Sequence, residues 1–411
     1  MILGAEAQSV AVAWQVYQLT HSPLSLGYTG LALFLPGIFC VLPAGHAADR
    51  YDRRGIILIC YALQAICTGM LLWIAHTGAW VHDGVWPIYA VLGGIGLGRA
   101  FSGPASSALL PSLVEKDDFV NAVTWGATVF QIANISGPAV GGLLFTLPLT
   151  GFLVGWSGAP IVYVFTLLML VSFLVLIGLV HPVREVREKK AFSLQTVMAG
   201  LHYVRKTRLL LGSISLDLFA VLLGGAVALL PIFATDILHA GPRGLGLLRA
   251  MPSLGALGMS IVLTTRPIKH HAGRWMLTCV GMFGVATVVF GLSKNVWLSL
   301  AALMVIGASD MVSVVVRSSI LQLATPPEMR GRVSAVNWLF IGASNEYGEF
   351  ESGVTAQWFG AVRAVVLGGI GSVLVTVVTA VFFPALRKAD ALTAESLRAA
   401  EIELSEAEPL D

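Results

Sequence analysis

The longest uncharged stretch of the chain runs from Phe119 to Val183 and reads FVNAVTWGATVFQIANISGPAVGGLLFTLPLTGFLVGWSGAPIVYVFTLLMLVSFLVLIGLVHPV. A helix that crosses the hydrocarbon core of a bilayer needs about 20 apolar residues, so this stretch is long enough for two crossings and a turn. Lipid admits only helices and closed β-barrels. The apolar residues here do not alternate with polar ones, as they would in a barrel strand, and the stretch therefore predicts a helical hairpin in a membrane.

The rest of the composition also indicates that lipid is the solvent. Only 12% of the residues are charged and 56% are hydrophobic, whereas soluble domains carry about 25% charged residues. Two further uncharged runs, from Ala7 to Ala48 and from Ala364 to Leu386, are long enough for two spans and for one span. We therefore predict an all-α membrane protein that crosses the lipid bilayer many times.

The apolar runs predict twelve transmembrane helices in two pseudo-symmetric six-helix halves. Residues 121–125 (NAVTW) resemble residues 334–338 (SAVNW), as duplicated halves would. The first span starts directly at Met1, which predicts either a late start or a truncated first helix. We expect an N-terminal half at 1–180, a cytoplasmic central loop at 181–208, a C-terminal half at 209–384 and a cytoplasmic tail at 385–411. The spans are expected at 1–20, 24–45, 56–76, 86–110, 121–147, 158–180, 209–234, 244–265, 274–293, 296–323, 333–358 and 361–384.

Lysine and arginine predict the orientation of these spans, because cytoplasmic loops are enriched in both residues. If the N-terminus is cytoplasmic, the inner loops, the central segment and the tail contain nineteen of the 25 basic residues. The outer loops contain only Arg243, Lys294 and Arg363. We therefore expect both termini to be cytoplasmic.

The loop after the second predicted span carries the first recognisable motif, GHAADRYDRRG from Gly45 to Gly55. It resembles the signature loop of the major facilitator superfamily, G-x-L-x-D-R-x-G-R-[KR], with Ala47 in place of leucine and Asp52 in place of the second glycine. The resemblance implies a cytoplasmic latch. Asp49 would face the N-terminus of span eleven, where the helix dipole favours an anion. The latch residues are Gly45, Asp49, Arg50, Arg53 and Arg54; the alternative is an ordinary basic loop.

Span four contains Arg99-Ala100-Phe101-Ser102-Gly103, which resembles the R-x-x-Q-G element of the same superfamily with Ser102 in place of glutamine. Arg99 would lie roughly 18 Å into the helix at 1.5 Å per residue, where a charge is costly. It must then face a cavity or a partner. The resemblance implies a role in proton coupling, and a structural ion pair is the alternative.

Span five contains ANISGPAVGG from Ala133 to Gly142. This run resembles the antiporter motif G-x-x-x-G-P-x-x-G-G, with Ala133 at the first glycine. The matching residues are Gly137, Pro138, Gly141 and Gly142. Small residues at this spacing let a neighbouring helix approach closely, so plain helix packing is the alternative. Within the superfamily the element is typical of exporters.

The second half holds most of the charges that fall inside predicted spans. Asp310 and Arg317 are seven residues apart and lie on one face of span ten. A carboxylate removed from water favours its protonated form, which suits reversible protonation. The alternative is a purely structural role, as a fixed ion pair between Arg317 and either Asp310 or Asp217. The candidate coupling or substrate residues are Arg99, Asp217, Asp310, Arg317, Asn345, Glu346 and Glu349.

The motifs together resemble the branch of the superfamily that contains the bacterial enterobactin exporter and related drug-efflux permeases. That branch is further indicated by WQVYQLT at residues 14–20 and IGASNE at residues 341–346. The resemblance implies a multi-pass protein of the bacterial inner membrane that exports a siderophore or an amphipathic drug in exchange for protons. An importer of a small solute in the same superfamily is the main alternative.

Other classes of protein fit the sequence less well. It contains neither an H-E-x-x-H zinc motif nor a Gly-Lys-Ser/Thr phosphate loop, and the four cysteines have no metal-type spacing. We therefore expect no enzyme activity, no cofactor, no metal site and no nucleic-acid partner. An intramembrane enzyme and a sensor are the remaining alternatives, and a sensor would not need duplicated halves, a latch and an antiporter element.

Overall fold

The computed structural model describes residues 1–78, 84–109, 113–114, 118–147, 158–180, 194–268 and 270–390. All regular secondary structure in these ranges is helical. A backbone that bonds to itself within each helix needs no polar partner from the surroundings. The prediction of an all-α protein is thus confirmed.

Each predicted span coincides with a helix or a series of short helical segments. The first half contains α1 (Ile2–Thr20), α2 (Pro23–Arg50), α3 (Arg53–Thr77), α4 (Trp86–Leu109), α5 (Phe119–Phe145) and α6 (Ala159–Leu179). The segment expected to join the halves contains α7 (Leu194–Lys206). The second half contains α8 (Arg208–Leu223), a 3-10 turn (Ala226–Leu229), α9 (Leu230–Ile232), a π-helical turn (Phe233–Ile237), α10 (Gly241–Thr265), α11 (Ala272–Leu292), α12 (Val296–Ala324), α13 (Pro327–Phe359), α14 (Ala361–Phe382) and α15 (Pro384–Lys388).

Among the described residues, nine helical segments are long and apolar enough to cross a membrane. The other three predicted spans correspond to α1, α4 and α13. These helices carry charged residues within the membrane-length part, such as Glu6 in α1, Arg99 in α4 and Glu349 in α13. Polar residues inside membrane helices are rare and mark functional sites, so these three helices are of functional interest.

The seventh predicted span is interrupted, which the sequence analysis did not anticipate. Its first part, α8, ends at Leu223, and the chain continues through Gly224 and Gly225 into the 3-10 turn. Glycine weakens a helix because it loses the most backbone freedom on ordering. Pro231, seven residues on from Gly224, lacks the amide hydrogen that a regular helix needs. The Gly-Gly pair and the proline together account for the break.

The chain divides into two compact units. The first comprises Met1–Ser193 together with Leu230–Ala250, and the second comprises Leu194–Leu229 together with Met251–Asp411. The first unit therefore includes a short segment from the second half of the sequence.

In the first unit, α1 packs against α5 and α6, α4 packs against α2 and α3, and α3 also packs against α6. Polar side chains join these helices internally. The Thr68 hydroxyl donates to Gln8 Oε1 at 3.0 Å, and the Tyr163 hydroxyl donates to Gln15 Oε1 at 2.7 Å. Such bonds satisfy buried polar groups that have no access to water.

In the second unit, α11 packs against α12 and α14, while α8 packs against α13 and α14. The Ser372 hydroxyl of α14 donates to the carbonyl of Ala220 in α8 at 2.8 Å. The helices α8 and α13 cross closely at Gly348, where an added Cβ would lie 3.0 Å from the carbonyl oxygen of Leu222. This crossing leaves space on either side of α13.

Candidate functional site

A buried ion pair joins α8 to α12 in the second unit. Arg317 Nη1 donates to Asp217 Oδ2, and the Ser313 hydroxyl donates to Asp217 Oδ1 at 3.4 Å. Asp217 is 5% exposed and Arg317 is 3% exposed. Arg317 Nε is also buried and has no hydrogen-bond partner among the described residues. The Arg317 guanidinium therefore has one N–H donor, at Nε, that is not used in its bond to Asp217.

Asp310 is a second carboxyl group close to this pair. It lies two turns before Arg317 on α12, and its charge interacts with both Asp217 and Arg317. The side chain is partly buried. Among the described residues, no hydrogen bond or ion pair of Asp310 is found. Arg317 is thus bonded to one aspartate, Asp217, and interacts through its charge with a second, Asp310.

These three side chains line a cavity of about 290 Å³ in the second unit, together with Ser344, Asn345 and Glu349 of α13. The structure thus brings together five of the predicted residues: Asp217, Asp310, Arg317, Asn345 and Glu349. The remaining two are elsewhere. The Glu346 side chain lies outside the described part, and Arg99 is exposed on α4 of the first unit.

The local fold explains why the cavity exists. The face of α12 that turns toward it carries Leu303, Ile306, Asp310 and Arg317, a spacing of three to seven residues that places them on one side of the helix. The break after Leu223 leaves Gly224 and Gly225 at the wall, without side chains to fill the space. Sequence analysis missed these two glycines as site residues, although a Gly-Gly pair within a predicted span was a visible signal.

Two further residues that line or support the cavity were not predicted. Ser313 bonds to Asp217, and Ser344 forms part of the wall. Both serines are buried. Serine is common between packed membrane helices, so nothing in the sequence distinguished these two from the others.

The Asp49 side chain of the predicted latch lies outside the described part of the structure. Arg50 is exposed and Gly45 is half-buried. Arg54 Nε donates to the carbonyl of Ile177 at 3.1 Å, and Arg54 Nη2 donates to the carbonyl of Gly178. A cation at the C-terminal end of α6 satisfies free carbonyl groups and complements the helix dipole.

The departure from the signature loop at Asp52 has a clear structural role. Asp52 precedes α3, and its Oδ2 accepts a hydrogen bond from the backbone amide of Gly55 at 2.8 Å. Aspartate is a favoured residue at this capping position. Asp52, which takes the place of the second glycine of the motif, therefore stabilises the N-terminus of α3 as its N-cap.

The antiporter element lies on α5 where two other segments of the first unit approach it. A Cβ added at Gly141 would lie 2.7 Å from the carbonyl oxygen of Ala7, and one at Gly137 would lie 2.5 Å from Glu6 Cβ. On another side, a Cβ at Gly142 would lie 2.6 Å from the carbonyl oxygen of Pro242. Only glycine permits these distances, so the element is a close-packing surface for α1 and for the start of α10.

Hydrogen bonds at the same end of the unit accompany this packing. Arg243 Nε donates to Thr146 Oγ1 at 2.6 Å, and the Tyr17 hydroxyl donates to Asp236 Oδ2. Arg249 Nη1 donates to the carbonyl of Ser9 at 3.2 Å. The segment Leu230–Ala250 is thus attached to α1 and to the end of α5 by side-chain bonds as well as by glycine contacts.

Comparison with known proteins places this architecture in a family. The chain is 27% identical over 384 residues to the enterobactin exporter EntS of Shigella dysenteriae serotype 1, a match that covers 90% of this chain and 82% of the exporter. Its fold resembles that of a bacterial homologue of the human lysosomal transporter Spinster in an inward-facing, unoccupied conformation, with a TM-score of 0.68 at 14% identity over 98% of this chain and 96% of that one. It also resembles a D-xylose–proton symporter, with a TM-score of 0.68 at 13% identity over 92% and 94% of the two chains.

The sequence model of one family, described as transmembrane secretion effector, matches residues 2–408. This match covers almost the whole chain, and the similar solved structures share the two-halved fold of major facilitator transporters. The expected superfamily and fold are thereby confirmed, and the chain belongs to the transmembrane secretion effector family of major facilitator transporters.

Proposed function

We propose that this transporter exports a siderophore of the enterobactin type, or a related amphipathic compound, in exchange for protons across the bacterial inner membrane. The exchange for protons is supported by the arrangement of Asp217, Asp310 and Arg317 in one cavity. The export part rests on the 27% identity to an enterobactin exporter and on the antiporter element of α5.

The charges in the cavity favour a proton as the coupling ion. Arg317 is bonded to Asp217, so its single positive charge is already balanced. An ionised Asp310 would add an uncompensated charge at a depth where a charged residue costs about 2.5–3.5 kcal/mol. Protonation of Asp310 removes that cost, and we assign the exchangeable proton to this residue.

Arg317 provides a way to release the proton again. Its Nε is a buried donor with no partner among the described residues, and Asp310 lies on the same face of α12. If the guanidinium turns toward Asp310, the ionised form of that carboxyl is stabilised by charge and by a hydrogen bond. An arginine shared between two carboxyl groups can thus couple the movement of a helix to the gain or loss of one proton.

The size of the cavity also fits a proton site rather than the whole cargo. Pockets for drug-sized ligands range from about 300 to 1,000 Å³, and this cavity of about 290 Å³ is just below that range. We therefore place the proton site at Asp310, and not the siderophore site, in this cavity.

The decisive experiment replaces Asp310 by asparagine, which keeps the shape of the side chain and removes the titratable group. We expect Asp310→Asn to abolish efflux driven by a proton gradient while substrate exchange at equal pH on both sides continues. Reconstituted proteoliposomes loaded with enterobactin allow both measurements. Asp390→Asn, at an exposed position outside the spans, is the matched control. Loss of both activities in Asp310→Asn would indicate a structural role, and retention of gradient-driven efflux would exclude Asp310 as the proton carrier.

Orientation and direction are tested separately. We propose that both termini are cytoplasmic, so that cysteines placed at Asp52 and Arg332 react only with membrane-permeant reagents, whereas cysteines at Gly241 and Lys294 also react with an impermeant maleimide added to whole cells. In inside-out vesicles an exporter accumulates its cargo when the lumen is acidified. Accumulation in right-side-out vesicles instead would identify an importer.

The predicted halves, the latch and the role of Arg99 are part of the same proposal. The proposed transporter has two six-helix halves, at 1–180 and 209–384. They are joined by the cytoplasmic loop at 181–208, and the cytoplasmic tail at 385–411 follows them. Asp49 and Arg50 would close the cytoplasmic side, and Arg99 of the first half would take part in proton coupling or contact the substrate.

A further inference from the structure

A second space lies beside α13 in the second unit, next to the coupling cavity. It is an open groove of about 510 Å³ between α8 and α13. Leu218 and Leu222 of α8 form one wall, and Tyr347, Phe350 and Trp358 of α13 contribute to the other. Its volume is within the range of small-molecule pockets, about 300–1,000 Å³, and exceeds that of the coupling cavity.

Among the described residues that line this mostly apolar groove, Glu351 is the one with a carboxyl group. Glu351 is partly buried, and its Oε1 accepts a hydrogen bond from the Thr355 hydroxyl at 2.6 Å. Its other oxygen, Oε2, has no partner among the described residues. Glu351 is eight residues before the end of α13 at Phe359, which is roughly 12 Å at 1.5 Å per residue. Because the eleventh span is predicted to end at residue 358, we expect the carboxyl group to lie below the membrane surface, within the apolar leaflet.

The aromatic residues follow the same stripe of the helix as this carboxyl group. Tyr347 precedes Glu351 by one turn and Trp358 follows it by two turns, a spacing that keeps all three on one face. Trp358 is 74% exposed and Tyr347 is 44% exposed. Both rings are therefore accessible to a ligand in the groove.

The charge and the rings select the class of ligand. Among the described residues that line the groove, none is a lysine or an arginine, so an anion would meet the Glu351 carboxylate without a compensating positive charge. A cation is attracted both by a carboxylate and by the faces of tryptophan and tyrosine rings. Leucine, phenylalanine and valine side chains provide apolar area for the rest of the molecule.

We propose that this groove binds an amphipathic organic cation, with its positive group between Glu351 and the rings of Tyr347 and Trp358. This is a second ligand class beside the cargo proposed above, and it does not depend on proton transfer at Asp310. The groove also borders the coupling cavity, because Ser344 forms part of both walls. A cation bound there lies next to the helix that carries Asn345 and Glu349.

The test uses tetraphenylphosphonium as the probe, because it is an apolar cation whose charge-reversed counterpart, tetraphenylborate, has the same shape. The full chain is placed in nanodiscs of zwitterionic phosphatidylcholine, and binding is measured by equilibrium dialysis after subtraction of empty nanodiscs. We expect saturable binding of the cation and no saturable binding of the anion. Glu351→Gln should weaken binding of the cation about tenfold or more, since it removes the charge at the site.

Three further variants keep the proposal falsifiable. Trp358→Leu removes one ring and should weaken binding of the cation about threefold or more, even if Glu351→Gln does not accumulate in the membrane. Asp390→Asn removes an exposed acid elsewhere and should leave binding unchanged. Asp310→Asn should also bind the cation normally, so failure of the coupling proposal and failure of this one give different results. Equal binding in wild type and Glu351→Gln, or equal saturable binding of cation and anion, would overturn the proposal and indicate a groove filled by lipid.

Discussion

The ion pair between Asp217 and Arg317 allows the sharpest test of how the second unit is held together. The side chains of Arg317 and Asp217 are only 4% and 7% exposed, and the Ser313 hydroxyl donates a hydrogen bond to the Asp217 carboxylate at 3.4 Å. Removal of one member of a buried ion pair leaves the other charge uncompensated, which lowers the free energy of unfolding by about 3–5 kcal/mol. We expect Asp217→Asn and Arg317→Gln each to lower the free energy of unfolding by about this amount.

The double variant separates the pair interaction from the loss of each side chain alone. In Asp217→Asn/Arg317→Gln no charge of the pair remains, so we expect a total loss well below the sum of the two single losses, with a coupling energy of about 2–3 kcal/mol. Ser313→Ala provides the internal scale. It removes one long hydrogen bond to the carboxylate and should cost no more than about 1–2 kcal/mol.

The assay is equilibrium unfolding in mixed micelles of dodecyl maltoside and sodium dodecyl sulfate, followed by far-UV circular dichroism. Thermal midpoints give a second measure: about 2–4 °C per kcal/mol for a unit of this size corresponds to roughly 6–20 °C for each single variant. Single losses below about 1 kcal/mol would mean that water reaches the pair. A double variant whose loss equals the sum of the single losses would show that the two side chains do not interact, and the argument from charge balance at Asp310 would fail with it.

Three other predictions concern the latch, the antiporter element and the C-terminal segment. Asp49→Asn should reduce transport about two- to fivefold at normal membrane abundance, the effect of losing about 0.3–1 kcal/mol at a helix end; wild-type transport under both limiting and saturating gradients would contradict the latch. Gly142→Ala should destabilise the protein by about 1–3 kcal/mol through overpacking, whereas Gly126→Ala on the same helix, where an added Cβ has open space, should not; equal midpoints for the two variants would refute the close-contact role. The Asp390 carboxylate accepts the backbone amide of His271 at 2.6 Å, and this bond lowers the pKa of Asp390. Its stabilising effect is therefore fully present at neutral pH, and it is lost as the pH falls from about 4, the ordinary pKa of an aspartate, through the lowered pKa of Asp390. The difference in thermal midpoint between wild type and Asp390→Asn should begin to shrink near pH 4 and disappear below the lowered pKa; a difference that does not shrink as the pH falls would rule out the carboxylate as its source.

Much of the architecture followed from the order of residues alone. Uncharged runs such as Phe119 to Val183 can only be helices in lipid, because each backbone amide must find its partner within the same segment. The same local rule placed Asp310 and Arg317 on one face of α12, since seven residues make two turns. The signature loop and the antiporter element then indicated the superfamily. Local hydrogen bonding and short motifs are properties of neighbouring residues, and the sequence specifies them directly.

The tertiary structure decided what the charged residues meet. Sequence analysis left Arg317 with two possible partners, and the packing of α8 against α12 selects Asp217, 100 positions away in the chain. The same packing leaves Asp310 without an ion pair among the described residues and separates the coupling cavity from the groove that contains Glu351. The break in the seventh span places Gly224 and Gly225 in the wall of that cavity. Such features depend on how whole helices approach one another, and that is set by the sum of many weak side-chain contacts that no local pattern encodes.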